Sequence, residues 1–286
     1  LKAVVGTVSG TSISFGSEVE ISGAFTGPTV ESIPVGFDSV NNKILVVFDD
    51  AASSGQLRAI AGTVSGTSIS FGSEATVSTN SIPSSAIAFD PSAGKFLIVY
   101  KDATNSNYGK ARVATISGTS VTFGTEVVFE SATVNDLCIV FDSVNSKFVV
   151  AYRDGGNSSY GTAIVATISG TDVSFGTAVV WLNGEALKIA PAFDSTSGSV
   201  VLAYKDDSNS NYGTAIVGTV SETSISFGTP VVFNSGAVNN YISATYNSAA
   251  NKTMIAYADS GNSSYGTYVL GTVSETSISF DSEVVF

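Results

Sequence analysis

Gly6-Thr7-Val8-Ser9-Gly10-Thr11-Ser12-Ile13-Ser14-Phe15-Gly16 returns almost letter for letter at Gly62 to Gly72. It recurs at Ala114 to Gly124, Ala166 to Gly176, Gly218 to Gly228 and Gly271 to Asp281. Its phenylalanines, Phe15, Phe71, Phe123, Phe175, Phe227 and Phe280, lie 56, 52, 52, 52 and 53 residues apart. A chain with such a period stacks copies of one supersecondary unit, because a single unit cannot bury its apolar face alone.

Two further markers keep the same rhythm. One is Phe37-Asp38, Phe89-Asp90, Phe141-Asp142, Phe193-Asp194 and Tyr246-Asn247. The other is an aromatic (Phe48, Tyr100, Tyr152, Tyr204, Tyr257) followed two residues later by Asp50, Asp102, Asp154, Asp206 and Asp259. Phe15 to Phe37 is 22 residues where the three middle copies have 18, so the insertion sits in one loop, around Gly23 to Ser32.

Each unit reads as four strands. The first is like Tyr241 to Tyr246, the second like Phe96 to Tyr100, the third like Gly213 to Val220, and the fourth opens with Ser12-Ile13-Ser14-Phe15. The second and third are apolar on both faces, as a sheet covered on both sides requires. The fourth alternates polar and apolar, as a half-exposed strand does. Turn residues such as Asn41-Asn42 and Ser117-Gly118-Thr119 separate them. A single-coil β-helix would repeat at about 20–30 residues, and a sandwich domain would need about 100. Four graded strands in each repeat predict the blades of an all-β propeller.

The reading is one β-propeller domain over residues 1–286. A half blade occupies 1–22, and five repeats follow at about 23–78, 79–130, 131–182, 183–234 and 235–286. Six blades are slightly favoured for the intact ring, with five or seven as alternatives. Leu1 opens directly into strand-like sequence with no basic and apolar leader, and the chain reads as a piece of a longer protein.

Composition narrows the function. There are 12 basic and 24 acidic residues, a net charge of −12, which repels nucleic acid. No run of 18 apolar residues is present, so membrane insertion is not expected. There is no histidine, which removes a Ser-His-Asp triad and His-ligated metals. The single cysteine, Cys138, lies in an apolar run without an activating base and reads as a buried hydrophobe. A carboxylate glycosidase needs one asymmetric acid pair, whereas the acids here recur in every unit, so no enzyme is expected.

Units such as Tyr204-Lys205-Asp206-Asp207-Ser208-Asn209-Ser210-Asn211-Tyr212-Gly213 resemble, in repeat style, those of phage virion and tail-fibre proteins and of marine microbial surface proteins. The resemblance spans the chain and implies a virion, extracellular or cell-surface setting. It implies no defined chemistry.

Two loop families are expected on one face. One joins each fourth strand to the next first strand, at Glu130 to Asp136, Leu182 to Ala186, Asn234 to Asn240 and near Gly23 to Ser32. The other joins strands two and three with the consensus Asp-x-x-Asn-Ser-(Asn/Ser)-Tyr-Gly. Its copies offer Asp102, Asn105 and Tyr108; Asp154, Asn157 and Tyr160; Asp206, Asn209 and Tyr212; and Asp259, Asn262 and Tyr265. As a ring of sites these could hydrogen-bond and stack on a sugar. No cofactor is required; Ca²⁺ is the one ion the oxygens could take, although it wants six to eight. The competing reading is that Asp and Asn cap the turn and Tyr anchors the strand. The partners expected are surface glycan or other subunits of the same assembly, with an oligomer allowed.

Overall fold

The computed structural model describes residues 1–21, 33–50 and 53–286. They form two compact units, Leu1–Val128 with Ser169–Asp172, and Phe129–Ile168 with Val173–Phe286. The insertion around Gly23 to Ser32 lies outside the described residues.

In the first unit a half blade comes first. Gly6–Ser9 forms a hairpin with Ser12–Phe15, and Lys2–Ala3 pairs with Val19–Glu20. Blade 1 then runs Val35–Asp38, Lys43–Asp50 and Gln56–Ser65, all antiparallel. Its third strand pairs with both Ser68–Phe71 and Ala75–Ser81, so the fourth strand comes in two pieces. Blade 2 repeats this with Ser84–Asp90, Lys95–Asp102, Tyr108–Ser117 and Ser120–Phe123.

The second unit holds blades 3, 4 and 5, with second strands Lys147–Asp154, Ser199–Asp206 and Lys252–Asp259. Their third strands are Tyr160–Ser169, Tyr212–Ser221 and Tyr265–Ser274. One expectation is overturned here. The stretches read as loops at Glu130 to Asp136, Leu182 to Ala186 and Asn234 to Asn240 lie inside continuous strands, Val127–Asp142, Val179–Asp194 and Val231–Asn247. They stay extended because they change partner rather than lose one. Leu182 and Glu185 pair with Gly161 and Tyr160 of blade 3, and Ala186 pairs with Asp206 of blade 4. Bulges absorb the change, at Asn135/Cys138, Leu187/Ala190 and Val238/Ile242.

Hairpin turns between strands one and two are capped by the repeated acid. Asp38, Asp90, Asp142 and Asp194 are buried, and each Oδ1 accepts the backbone N–H groups two and three residues on. That is Asx-turn chemistry, so the Phe-Asp pairs belong to folding.

Stacking of blades supplies the core. Ile116, Val121 and Phe123 of blade 2 cover Leu45, Val47, Leu57, Ala59 and Ala61 of blade 1. Val220, Ile225 and Phe227 of blade 4 cover Val149, Ala151, Ala163 and Val165 of blade 3 in the same way. Each fully buried aliphatic side chain contributes about 1.5–3 kcal/mol. With one cysteine no intrachain disulfide can form, so this packing carries the stability.

Close approach explains the glycine after each marker phenylalanine. A Cβ on Gly72 would lie 2.0 Å from the Thr119 carbonyl oxygen, and one on Gly228 would lie 1.8 Å from that of Thr276. A second glycine, after the consensus tyrosine, admits an aromatic ring: Gly161 faces Trp181 and Gly213 faces Phe233. Blade 1 reaches the same fill with Leu57 against Val77.

Cys138 is buried, and that burial pushes its thiol up to about 12. The folded protein should therefore not react with an aromatic disulfide reagent at pH 8, whereas the denatured chain should react stoichiometrically. Prompt labelling of the native protein would contradict this packing.

Candidate functional site

The turns between strands two and three are built from the inside outward. In blade 2, Asp102 is fully buried, and its Oδ1 accepts from the N–H groups of Thr104 (3.0 Å) and Asn105 (3.2 Å). Its Oδ2 accepts from Asn80 Nδ2 at 2.6 Å and pairs with Lys110 Nζ at 2.8 Å. Asp154 and Asp259 likewise accept from Gly156 N (2.8 Å) and Gly261 N (2.9 Å). Asp206 and Asp259 each precede a 3-10 turn, Asp207–Asn209 and Ser260–Asn262.

The next residues make a left-handed pair: Ser106 and Asn107, Ser158 and Ser159, Ser210 and Asn211, Ser263 and Ser264, all with φ between 51 and 62°. Short polar side chains tolerate that region, which accounts for the repeated Ser and Asn on backbone grounds. Asn105 and Asn157 accept the Tyr108 and Tyr160 N–H groups through their carbonyls, leaving their amide side chains exposed. Asn209 and Asn262 are exposed as well; Tyr108, Tyr160 and Tyr212 are half-buried and Tyr265 is exposed. Each turn thus gathers its Asp, Asn and Tyr, but the acid points inward and only the Asn and Tyr face solvent.

These turns rest on the strand that crosses between blades. Ala103 N donates to Ser81 O (3.0 Å), Gly155 N to Thr133 O (2.7 Å), and Asn239 Nδ2 to Ser264 Oγ (3.2 Å). Among the described residues no three acidic or cysteine side chains converge as metal ligands. The Oδ1 atoms of Asp102, Asp154 and Asp259 are taken by turn amides, which leaves them less able to join a calcium shell.

Blade 2 carries a group that the repeat pattern concealed. Where blades 3, 4 and 5 have Thr162, Thr214 and Thr267, blade 2 has Lys110; where the other blades have Ile60, Ile164, Ile216 and Val269, it has Arg112. Lys110 is 6% exposed and bridges Asp102 and Glu126, the latter at 2.7 Å. Glu126 also accepts from the Tyr100 hydroxyl. Burial works against the Asp102 carboxylate, but Lys110 and Asn80 outweigh it and hold its pKa below the usual range. The same two acids raise Lys110 against the effect of its burial. Blade 4 shows the contrast: without such a lysine, burial pushes Asp206 up, and the Tyr204 hydroxyl and Asp206 Oδ1 are buried without a protein partner.

Beside this cluster lies a recess of about 400 Å³ lined by Thr76, Val77, Ser78, Thr79, Asn80, Arg112 and Glu126. Arg112 Nη1 donates to Val77 O at 2.6 Å and its guanidinium lies 5.8 Å from the Phe123 ring centroid, whereas its buried Nε has no protein partner. The signal in the sequence was a departure, Lys-Ala-Arg where the repeat has Thr-Ala-Ile.

No protein-family model matches the chain, and no curated protein matches its sequence. Solved structures do match. Sqt1 from Chaetomium thermophilum superposes with a TM-score of 0.54 at 12% identity, over 90% of this chain and 62% of that one. AofleA from Arthrobotrys oligospora gives 0.55 at 10%, over 96% and 79%, and BP39L lectin from Burkholderia pseudomallei gives 0.60 at 11%, over 90% and 70%. The chain has the β-propeller fold. It spans less than two thirds of Sqt1, and identities this low speak for the propeller architecture alone. Against that architecture, the recess sits within one unit, beside the third strand of one blade and the crossing strand that leaves its neighbour.

Proposed function

We propose that this propeller is a non-enzymatic carbohydrate-binding module of a virion or cell surface, with the blade 2 recess as its principal sugar site. The observation that carries this reading is the lining of the recess. An unsatisfied guanidinium nitrogen, a carboxylate, an amide and three hydroxyls surround one apolar side chain in a half-open space. Sugars need alternating donors and acceptors at close range, and a volume near 400 Å³ falls within the usual span for small ligands. Fold likeness to a protein named as a lectin supports the same class. The surface setting rests on the repeat style. Exposed Asn157, Asn209 and their equivalents at the turn tips would add weaker contacts, useful when several engage one surface.

Binding of the purified protein to a broad glycan panel, with calcium and with chelator, tests this. Arg112→Ile puts in the residue of three other blades, so the strand should keep its form. It should weaken sugar binding roughly tenfold to hundredfold, the weight of one hydrogen bond to a charged group. Loss on Asn157→Ala plus Asn209→Ala with Arg112→Ile unaffected would move the site to the turn tips. No saturable binding to any glycan would overturn the carbohydrate reading and leave a structural module.

A further inference from the structure

Within the second unit, the bulges of the crossing strands are tied to one another, and blade 4 breaks their charge pattern. In blade 3 the bulge at Asn135/Cys138 turns Asp136 to a φ of 48°. In blade 4 the bulge at Leu187/Ala190 turns Lys188 to 55°. Asp136 Oδ1 accepts the Lys188 backbone N–H at 2.9 Å, so one bulge holds the next. Asp136 Oδ2 pairs with Arg153 Nε at 3.1 Å, and Arg153 Nη1 reaches Glu185 Oε2 at 3.3 Å. Blade 3 thus closes an acid–base–acid chain with its own residues and the strand that leaves it.

Strand register carries the same positions into blade 4. Asn135↔Arg153 becomes Leu187↔Lys205, so Lys188 stands where Asp136 does and Lys205 where Arg153 does. Ala237, one repeat after Glu185, replaces the second acid. Asp, Arg and Glu have become Lys, Lys and Ala. Two ammonium groups therefore share positions whose side chains touch in blade 3, and like charges so placed repel unless an anion joins them. Both lysines are half-buried, and among the described residues neither has an ion-pair partner. The neighbouring acids are occupied or turned away. Asp136 and Glu185 are held by Arg153 and the Lys188 N–H. Asp206 is buried on the opposite face of the strand from Lys205, and Asp207 lies in the exposed turn. The corresponding bulge of blade 5 is wider, from Val238 to Ile242, and leaves Tyr241 77% exposed. A ring that open offers a pyranose a stacking face.

We infer that Lys188 and Lys205 form an anion site on blade 4 that takes the sulfate ester or carboxylate of an acidic saccharide, with Tyr241 as a stacking platform for its ring. The saccharide half rests on the carbohydrate reading above; the anion half rests on the two lysines alone. Ammonium donors converging on one anion make charge-assisted hydrogen bonds, about twice as strong as neutral ones, and the anion cancels their mutual repulsion.

Isothermal titration at low and high salt tests this, with neutral, uronate and sulfated oligosaccharides of equal length and with sodium sulfate. Lys188→Asp puts the blade 3 residue beside Lys205, so the pair should close as Asp136 and Arg153 do. Lys2→Asp makes the same charge change in an exposed pair elsewhere. An acidic saccharide should bind roughly tenfold or more tightly than the neutral one, with the advantage shrinking in salt. Lys188→Asp should abolish that preference and Lys2→Asp should keep it. Whichever acidic saccharide binds identifies the ester or the carboxylate. Tyr241→Ala should weaken the saccharide but not sodium sulfate. Acidic saccharides no tighter than the neutral one, or a preference that survives Lys188→Asp, overturn the site, while neutral binding lost on Arg112→Ile would leave the carbohydrate reading standing. If no saccharide binds, that reading fails and the saccharide half falls with it. Sodium sulfate then decides the rest: saturable binding lost on Lys188→Asp supports the anion site, and none overturns it. Should Lys188→Asp fold poorly by circular dichroism, Lys205→Gln carries the same readouts.

Discussion

Gly228→Ala should lower the thermal midpoint by about 5–10 °C, from one added methyl group. The alanine Cβ would stand 1.8 Å from the Thr276 carbonyl oxygen and 2.9 Å from its carbon. Both are backbone atoms held in a strand-to-strand turn, so no rotamer change relieves the clash and the two blades must part. Overpacking of a tight core typically costs about 1–3 kcal/mol, and a rigid backbone neighbour puts this case at the top of that range. Each kcal/mol shifts the midpoint of a chain this long by about 2–4 °C. Asp281→Ala is the control, because the same backbone position there already holds a half-exposed side chain. Differential scanning calorimetry of both decides it; a Gly228→Ala midpoint within a degree of wild type would show that the blades are not stacked this closely.

Lys110→Met should cost about 3–5 kcal/mol at neutral pH, the penalty of leaving a buried charge without its partner. Asp102 is fully buried, and its Oδ2 relies on Lys110 and Asn80. The methionine fills most of the volume, so the loss is electrostatic rather than a cavity. The pH dependence gives the sign. Asp102 is held below its ordinary value, so its contribution is present above the unfolded pKa of about 3.9 and fades as pH falls through the folded value. Lys110 is raised, so its contribution is complete below about 10.4 and fades as pH rises through the folded value. The gap between wild type and variant should therefore be widest between about pH 4 and 10 and narrow on both sides. Urea unfolding across that span measures it, and a gap that stays flat into acid would assign the cost to packing.

These effects sit at different distances from what the sequence discloses. The repeat and the doubly apolar second and third strands could be read directly, because strand alternation is a local periodicity. So could the capped hairpins at Asp38, Asp90, Asp142 and Asp194, whose bonds close within three residues. The crossing strands could not. Glu130 to Asp136 and Leu182 to Ala186 look like variable loops in letters, and they are extended because strands far along the chain, such as Tyr160–Ser169 and Ser199–Asp206, supply their hydrogen bonds. The recess was hidden for the same reason, since Arg112 reaches the Val77 carbonyl 35 residues earlier.

By itself, then, the sequence determined the four-stranded unit, its period and its turn chemistry, all of which depend on neighbours within a few residues. Tertiary structure alone decided which repeated polar groups face inward and which odd residues meet. The turn acids are buried because a crossing strand lies on them, and Lys110, Asp102, Asn80 and Glu126 come together only when neighbouring blades stack. The glycine after each phenylalanine is required by a carbonyl about fifty residues away, a steric demand that no local pattern records.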